Sequence, residues 1–252
     1  MGTAGKPEFG GGALSRATNT VYWMLSLSLL LALANLPLVL AALFLVPVPS
    51  NLPLLALAAV PLGPSLAAGC FCVSRSLSGR ESTPVAFFLR GYRNSLRDVL
   101  VLWAALMAVL AVVGMDLLWL AADASTASGV QALMRPVLLG LGVAGLLWGT
   151  NLVLIGAAFS FRRRDLARLA AYSLVRNPLT TLGNGLLLLV AGILVAGGLE
   201  AALPVLSSFF ILAALAYARP MLEHIRRQHV AGDEPDLRVP AAGVPAAAAS
   251  EH

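Results

Sequence analysis

The side chains able to do chemistry inside a bilayer are few in this sequence of 252 residues. Asn35, Asp116, Asn151 and Asn184 stand within long apolar runs, with Ser28, Thr150, Ser207 and Ser208 as smaller polar groups. A carboxylate at the centre of a membrane helix costs about 2.5–3.5 kcal/mol and by default marks an ion or proton path. Asp116 falls near the outer end of its run, where water is close, so it reads as an interfacial acid. The three asparagines lie deeper. There an amide either bonds across to a neighbouring helix, for about 0.6 kcal/mol on average, or lines a polar path.

Constellations for catalysis are missing. His224, His229 and His252 all follow the last apolar run. No paired carboxylates and no deep lysine or arginine accompany them, so hydrolysis or intramembrane proteolysis has no acid or base. The sequence also lacks a Gly-rich phosphate loop ending in Lys-Ser/Thr. Cys70 and Cys72 are two apart, so on a helix they point about 200° from each other and cannot bridge. They read as small hydrophobes. The expectation is a non-enzymatic chain without cofactor or metal.

The elements that must hold these residues are membrane helices. Apolar residues make up 59% and charged residues 12% of the chain, against roughly 25% charged in soluble domains. Apolar runs longer than about 18 residues recur, which predicts an all-α polytopic membrane protein. Six spans are expected, at 21–46, 52–74, 98–120, 136–161, 180–199 and 203–218, with residues 121–135 an exposed loop. Residues 1–17 read as a flexible lead, 18–228 as the membrane domain and 229–252 as a disordered Ala/Pro-rich tail. The first run exceeds the roughly 7–15 residues of a signal-peptide core and therefore counts as a span. Asn35-Leu-Pro37 predicts a mild kink within it.

The second span holds the most irregular stretch, from Pro61 to Cys72. Pro61 and Pro64 predict a kink or an outright break, and Pro64 suits the first position of a new helix. Gly63, Ser65, Ala68 and Gly69 leave a thin wall that another helix can approach closely. Backbone N–H groups freed at such a start would face an anion if the start were buried. Gly145 and Gly149 form a second small-residue face, of the GxxxG kind, in the fourth span. Gly183-Asn184-Gly185 lowers helix propensity in the fifth span and predicts a local distortion.

Two amphipathic segments join spans on the inner side. In the first, Val85, Phe88, Leu89, Tyr92 and Leu96 share a stripe beside Arg90, Arg93 and Arg97. In the second, Leu166, Leu169, Ala170 and Ser173 face away from Arg164 and Arg168. Both read as helices in the membrane interface, arginines toward anionic lipid headgroups. With the N-terminus inside, only Arg135 of the 17 lysines and arginines falls on an outer segment. The positive-inside rule then places both termini in the cytoplasm of a multi-pass cell-membrane protein. Topology and lipid explain these charges, so nucleic acid is not an expected partner. Arg93-Asn-Ser-Leu96 and Arg176-Asn-Pro-Leu179 form a faint internal echo, of the kind parallel repeats leave.

In the order of these features the sequence resembles the YesL-type family of bacterial integral membrane proteins, a family of unknown function. The likeness is carried by Val21-Tyr-Trp23, Asn35-Leu-Pro37, Leu62–Ala68, Phe87–Asn94 and Val175–Leu179, and covers about residues 14–228. It implies an inner-membrane protein associated with carbohydrate uptake systems of the ABC type. The partners so implied are ABC permease subunits; self-association is the other expectation. No catalytic residues come with the resemblance. Ser65 stands where family members often have Ala. The competing reading is a small secondary transporter or channel with a path past Asn35, Asn151 and Asn184.

Overall fold

The computed structural model describes residues 13–46, 48–77, 83–96, 98–122, 129–159, 161–199 and 202–229, and every regular element among them is helical. In chain order these are α1 (Ala13–Ala34), α2 (Leu36–Phe44), a 3-10 turn at Pro49–Asn51, α3 (Leu52–Ala58) and α4 (Leu62–Leu77). They continue with α5 (Pro84–Ser95), α6 (Val99–Ala122), α7 (Gly129–Ala158), α8 (Arg163–Arg176), α9 (Pro178–Ala196) and α10 (Ala202–His229). Five helical segments are long and apolar enough to cross a membrane: Pro49–Ser76, Val99–Ala121, Leu133–Ala158, Pro178–Ala196 and Ala202–Ile225. The bent pair α1–α2 makes a sixth if it is counted as one span. This is the architecture of a multi-pass helical membrane protein.

The sharpest bend is not at Pro61. It lies between α1 and α2, which meet at 65° across Asn35. Pro37 supplies no N–H to the preceding turn and disfavours helical geometry at Leu36, so the expected mild kink becomes a corner. At Pro61 the outcome is gentler. The helix is interrupted over 59–61, yet Leu62 N–H reaches the Ala59 carbonyl at 3.1 Å and Ser65 N–H reaches Pro61 at 3.1 Å. The chain from Pro49 to Ser76 therefore continues as one kinked span. Those two bonds also occupy N–H groups that an anion at the helix start would need.

Three other expectations change. Much of the loop expected over 121–135 is helix, because α7 starts at Gly129 and runs through Pro136. One proline removes a single backbone bond, and the apolar turns on either side carry the helix past it. Arg135 then donates to the Leu120 carbonyl, tying the start of α7 to the end of α6. Helix α1 begins at Ala13, inside the segment read as a lead. Helix α9 runs unbroken through Gly183–Gly185. Its end is set instead by Gly198, at φ 70°, where Gly198 N–H bonds Val195 and Leu199 N–H bonds Leu194. That pairing is the Schellman closure, and it needs a residue without a Cβ penalty at positive φ. α9 and α10 are thus separate helices, and the Thr180 hydroxyl donates to the Tyr217 carbonyl between them at 3.0 Å. Arg97 and the tail expected over 229–252, apart from His229, lie outside the described residues.

Helix α4 is the centre of the bundle. Gly63, Pro64, Ser65, Ala67, Ala68, Gly69 and Cys70 are all buried, and α1, α5, α6, α7 and α10 pack around them. Leu27, Leu31, Trp103, Leu152, Ile155, Ile211 and Met221 belong to the buried cluster about this helix. The ends of α4, α7 and α10 come together beside α5 and α8, forming the basic end of the bundle. There the Arg163 guanidinium pairs with Asp98 at 3.1 Å, linking the starts of α8 and α6.

Candidate functional site

The stretch Pro61–Cys72 is a packing hub whose small side chains each receive a different neighbour. A Cβ at Gly63 would run into the Trp103 ring of α6, and one at Gly69 into the Ile211 side chain of α10. Ala68 lies against α5 at Gly91, where an added Cβ would stand 3.1 Å from the Ala68 Cα. Trp103 also crosses to α7: a Cβ at Gly149 would be 3.0 Å from its Cζ3 and 2.6 Å from Leu106 Cδ2. Gly145 meets Leu106 and Leu110 in the same way, at 3.2 and 3.5 Å. Both small-residue faces are therefore occupied within the chain. They do not present the open helix-contact surfaces that a partner would use.

Ser65 is where the kinked span meets the corner of the first. Asn35 Nδ2 donates to Ser65 Oγ at 2.7 Å and to the Leu31 carbonyl at 2.8 Å, while the Ser65 hydroxyl donates to Leu62 at 2.9 Å. Asn35 and Ser65 are both buried. An alanine at position 65 would keep the thin wall and lose this bond. Further along, Asn184 Nδ2 of α9 donates to Asn151 Oδ1 of α7 at 3.2 Å. Gly183 beside it lets α10 close in, since a Cβ there would be 2.6 Å from Tyr217 Cγ. Ser28 adds a third link, its hydroxyl lying 3.0 Å from Ser208 Oγ and 3.0 Å from the Val205 carbonyl, so α1 is held to α10.

These amides are only partly satisfied. Asn35 Oδ1, Asn151 Nδ2 and Asn184 Oδ1 are buried without a hydrogen-bond partner. Exchanging O and N in both members of the Asn151–Asn184 pair would leave the same count, one bond and two orphans. Asp116 is exposed on α6.

At the basic end Arg90, Arg93, Arg164 and Arg168 are all exposed. The apolar stripe predicted for α5 is rotated. Phe87, Phe88, Gly91 and Ser95 pack inward, whereas Val85 and Leu89 of the predicted stripe remain 47% and 54% exposed. The reason is a competing face: Gly91 allows α5 to approach α4, and Phe87 meets Trp23 of α1 at 6.2 Å between ring centres. Val85 and Leu89 are left exposed, on the same helix as Arg90 and Arg93. Helix α8 follows its prediction, with Leu166, Ala170 and Ser173 buried. Trp148 of α7 holds it by donating Nε1–H to the Ala167 carbonyl at 3.1 Å.

Two tryptophans escaped the reading of the sequence. Trp103 and Trp148 lie in apolar runs where polarity gives no signal, yet the first is buried, the second half-buried, and each sends its N–H to a backbone carbonyl. The usable signal is that an indole buried away from an interface needs such a partner. Comparisons with family models, with curated proteins and with solved structures returned no match.

Proposed function

We propose that this chain is a non-catalytic integral membrane protein, six-spanning with both termini cytoplasmic, that serves as an accessory or assembly partner of a carbohydrate ABC uptake system. One observation carries the non-catalytic part. Asn35, Asn151, Asn184 and Ser28, polar side chains buried in the helices, each bond to a neighbouring helix, so polarity within the bundle serves assembly. The link to ABC uptake rests on the resemblance to the YesL-type family alone. Since Gly63–Gly69 and Gly145–Gly149 are filled from within, the surface offered to permease subunits is the outer flank of the bundle. Helix α9 presents Leu182, Leu186, Leu189 and Ile193 there, all more than half exposed. Purification of the tagged chain from native membranes should recover permease subunits. Recovery as a lone monomer, with or without added sugar, overturns the assignment.

A second reading draws on the three orphaned amide atoms and the corner at Asn35. Discontinuous helices with unsatisfied polar groups are what secondary transporters use to bind cargo near the bilayer centre. On this reading Asn151→Leu and Asn184→Leu abolish uptake of labelled sugars into proteoliposomes. Unchanged uptake by both variants removes it.

A further inference from the structure

A cleft of about 430 Å³ opens at the basic end, between the last turns of α4, the end of α7 and α10. Its apolar lining is Phe71, Ala157, Ala158, Phe159 and Leu222, and its polar lining is Ser74, Arg75 and Glu223. The size is within the range of small-molecule sites, roughly 300–1,000 Å³. Its position matters more. Ser76, Ala158 and Ile225 are the ends of three candidate spans, so on the proposed multi-span reading, on which this inference rests, the cleft falls at the level of the headgroups.

The charges in the cleft have an unusual arrangement. Arg75 lies over the Phe71 ring, 5.1 Å from its centre, which holds the half-buried guanidinium along the wall. Glu223 reaches the same cleft from α10 and is exposed. Yet the two do not pair; among the described residues the ion pair is Arg163–Asp98. One cation and one anion therefore line a single apolar-walled cleft, each with its charge uncompensated by the other.

We propose that this cleft binds one zwitterionic phospholipid with a primary ammonium group, that is, a phosphoethanolamine headgroup. Arg75 takes the phosphate, for which a guanidinium fork is suited. Glu223 takes the ammonium, and Phe71, Phe159 and Leu222 cover the first acyl carbons. A phosphoglycerol headgroup satisfies Arg75 with the same phosphate but offers Glu223 no cation. A choline headgroup brings a cation with no N–H to donate. The exposed arginines of α5 and α8 are not among the residues that line it.

Native mass spectrometry of the full chain tests this, using detergent-solubilised protein titrated with phosphatidylethanolamine, phosphatidylglycerol or phosphatidylcholine. Wild type should retain one phosphatidylethanolamine in preference to the other two. Arg75→Gln should weaken retention of phosphatidylethanolamine about tenfold, the size of one charge-assisted bond lost. Glu223→Gln should abolish the preference over phosphatidylglycerol while leaving the Arg75 contact. Ala158→Phe, which fills the cleft from an exposed position and leaves both charges in place, should abolish retention without lowering Tm. Equal retention of the three lipids by wild type overturns the proposal, and so does unchanged preference in both charge variants.

Discussion

The indole of Trp103 occupies the space where a side chain on Gly63 would stand, and its Nε1–H bonds the Ala59 carbonyl at 3.1 Å. One residue of α6 thus fills the notch in α4 and bonds the carbonyl at the interruption that made the notch. The same ring presses on Gly149 of α7. Three spans meet on a single side chain.

That contact makes Gly63 intolerant of even a methyl group. Gly63→Ala should destabilise the fold by about 1–3 kcal/mol through overpacking against a ring that has nowhere to retreat. Gly140→Ala, where an added Cβ meets nothing within 4 Å, should be neutral or stabilising by up to ~1 kcal/mol through helix propensity. Denaturant unfolding in mixed micelles compares them, and equal effects would remove Trp103 as the reason.

Substitutions at Trp103 separate its two roles. Trp103→Phe keeps much of the ring and loses the bond to Ala59, whose carbonyl still accepts Leu62 N–H. Its cost should be about 0.5–1.5 kcal/mol. Trp103→Ala opens a void among three helices and should cost about 3–5 kcal/mol. The same unfolding assay reads both values.

The Asn151–Asn184 pair should behave non-additively. Either single change to Leu leaves the other amide fully unpartnered, at about 1–3 kcal/mol. Changing both removes two orphaned atoms along with one bond, so the double variant should cost less than the two singles together. A coupling of about 0.6 kcal/mol, and no more than about 1.7, is expected from a double-mutant cycle. Strict additivity would show that the amides do not hold α7 to α9.

The ion pair at the basic end should matter little. Arg163 and Asp98 are 44% and 42% exposed, so screening leaves an interaction of about 0–1 kcal/mol. Asp98→Asn should unfold at nearly the wild-type denaturant concentration, with any difference vanishing at high salt.

Orientation is open to labelling with a membrane-impermeant maleimide. Cys70 and Cys72 are buried and should not react in the folded protein. Introduced thiols should distinguish the two ends: Arg168→Cys labelled only in inverted vesicles, Asp116→Cys only in intact cells. The reverse pattern would invert the topology.

Helix identity was legible because it depends on composition and period. The long apolar runs, the arginines between them and the proline at position 37 act locally, through desolvation, charge and the missing N–H. So the long apolar helices could be read along the chain, along with the buried face of α8. The severity of each proline effect could not. Asn35-Leu-Pro37 became a corner and Pro61–Pro64 only a kink, because the outcome depends on which neighbours rebuild the lost bonds: Ser65 accepts the Asn35 amide, and Trp103 fills the gap at Gly63.

The partners of small residues were likewise invisible. A glycine states that something comes close, and only the tertiary arrangement decides what. Ser65–Gly69 and Gly145–Gly149 could have faced another protein; the fold turned them toward Asn35, Ile211, Leu106 and Trp103. The face that α5 buries was decided in the same way, by Gly91 against Ala68 rather than by its own apolar stripe. Desolvation and backbone chemistry are properties of a short segment and are written in it. Close packing is a property of two surfaces at once, and the second surface lies tens of residues away.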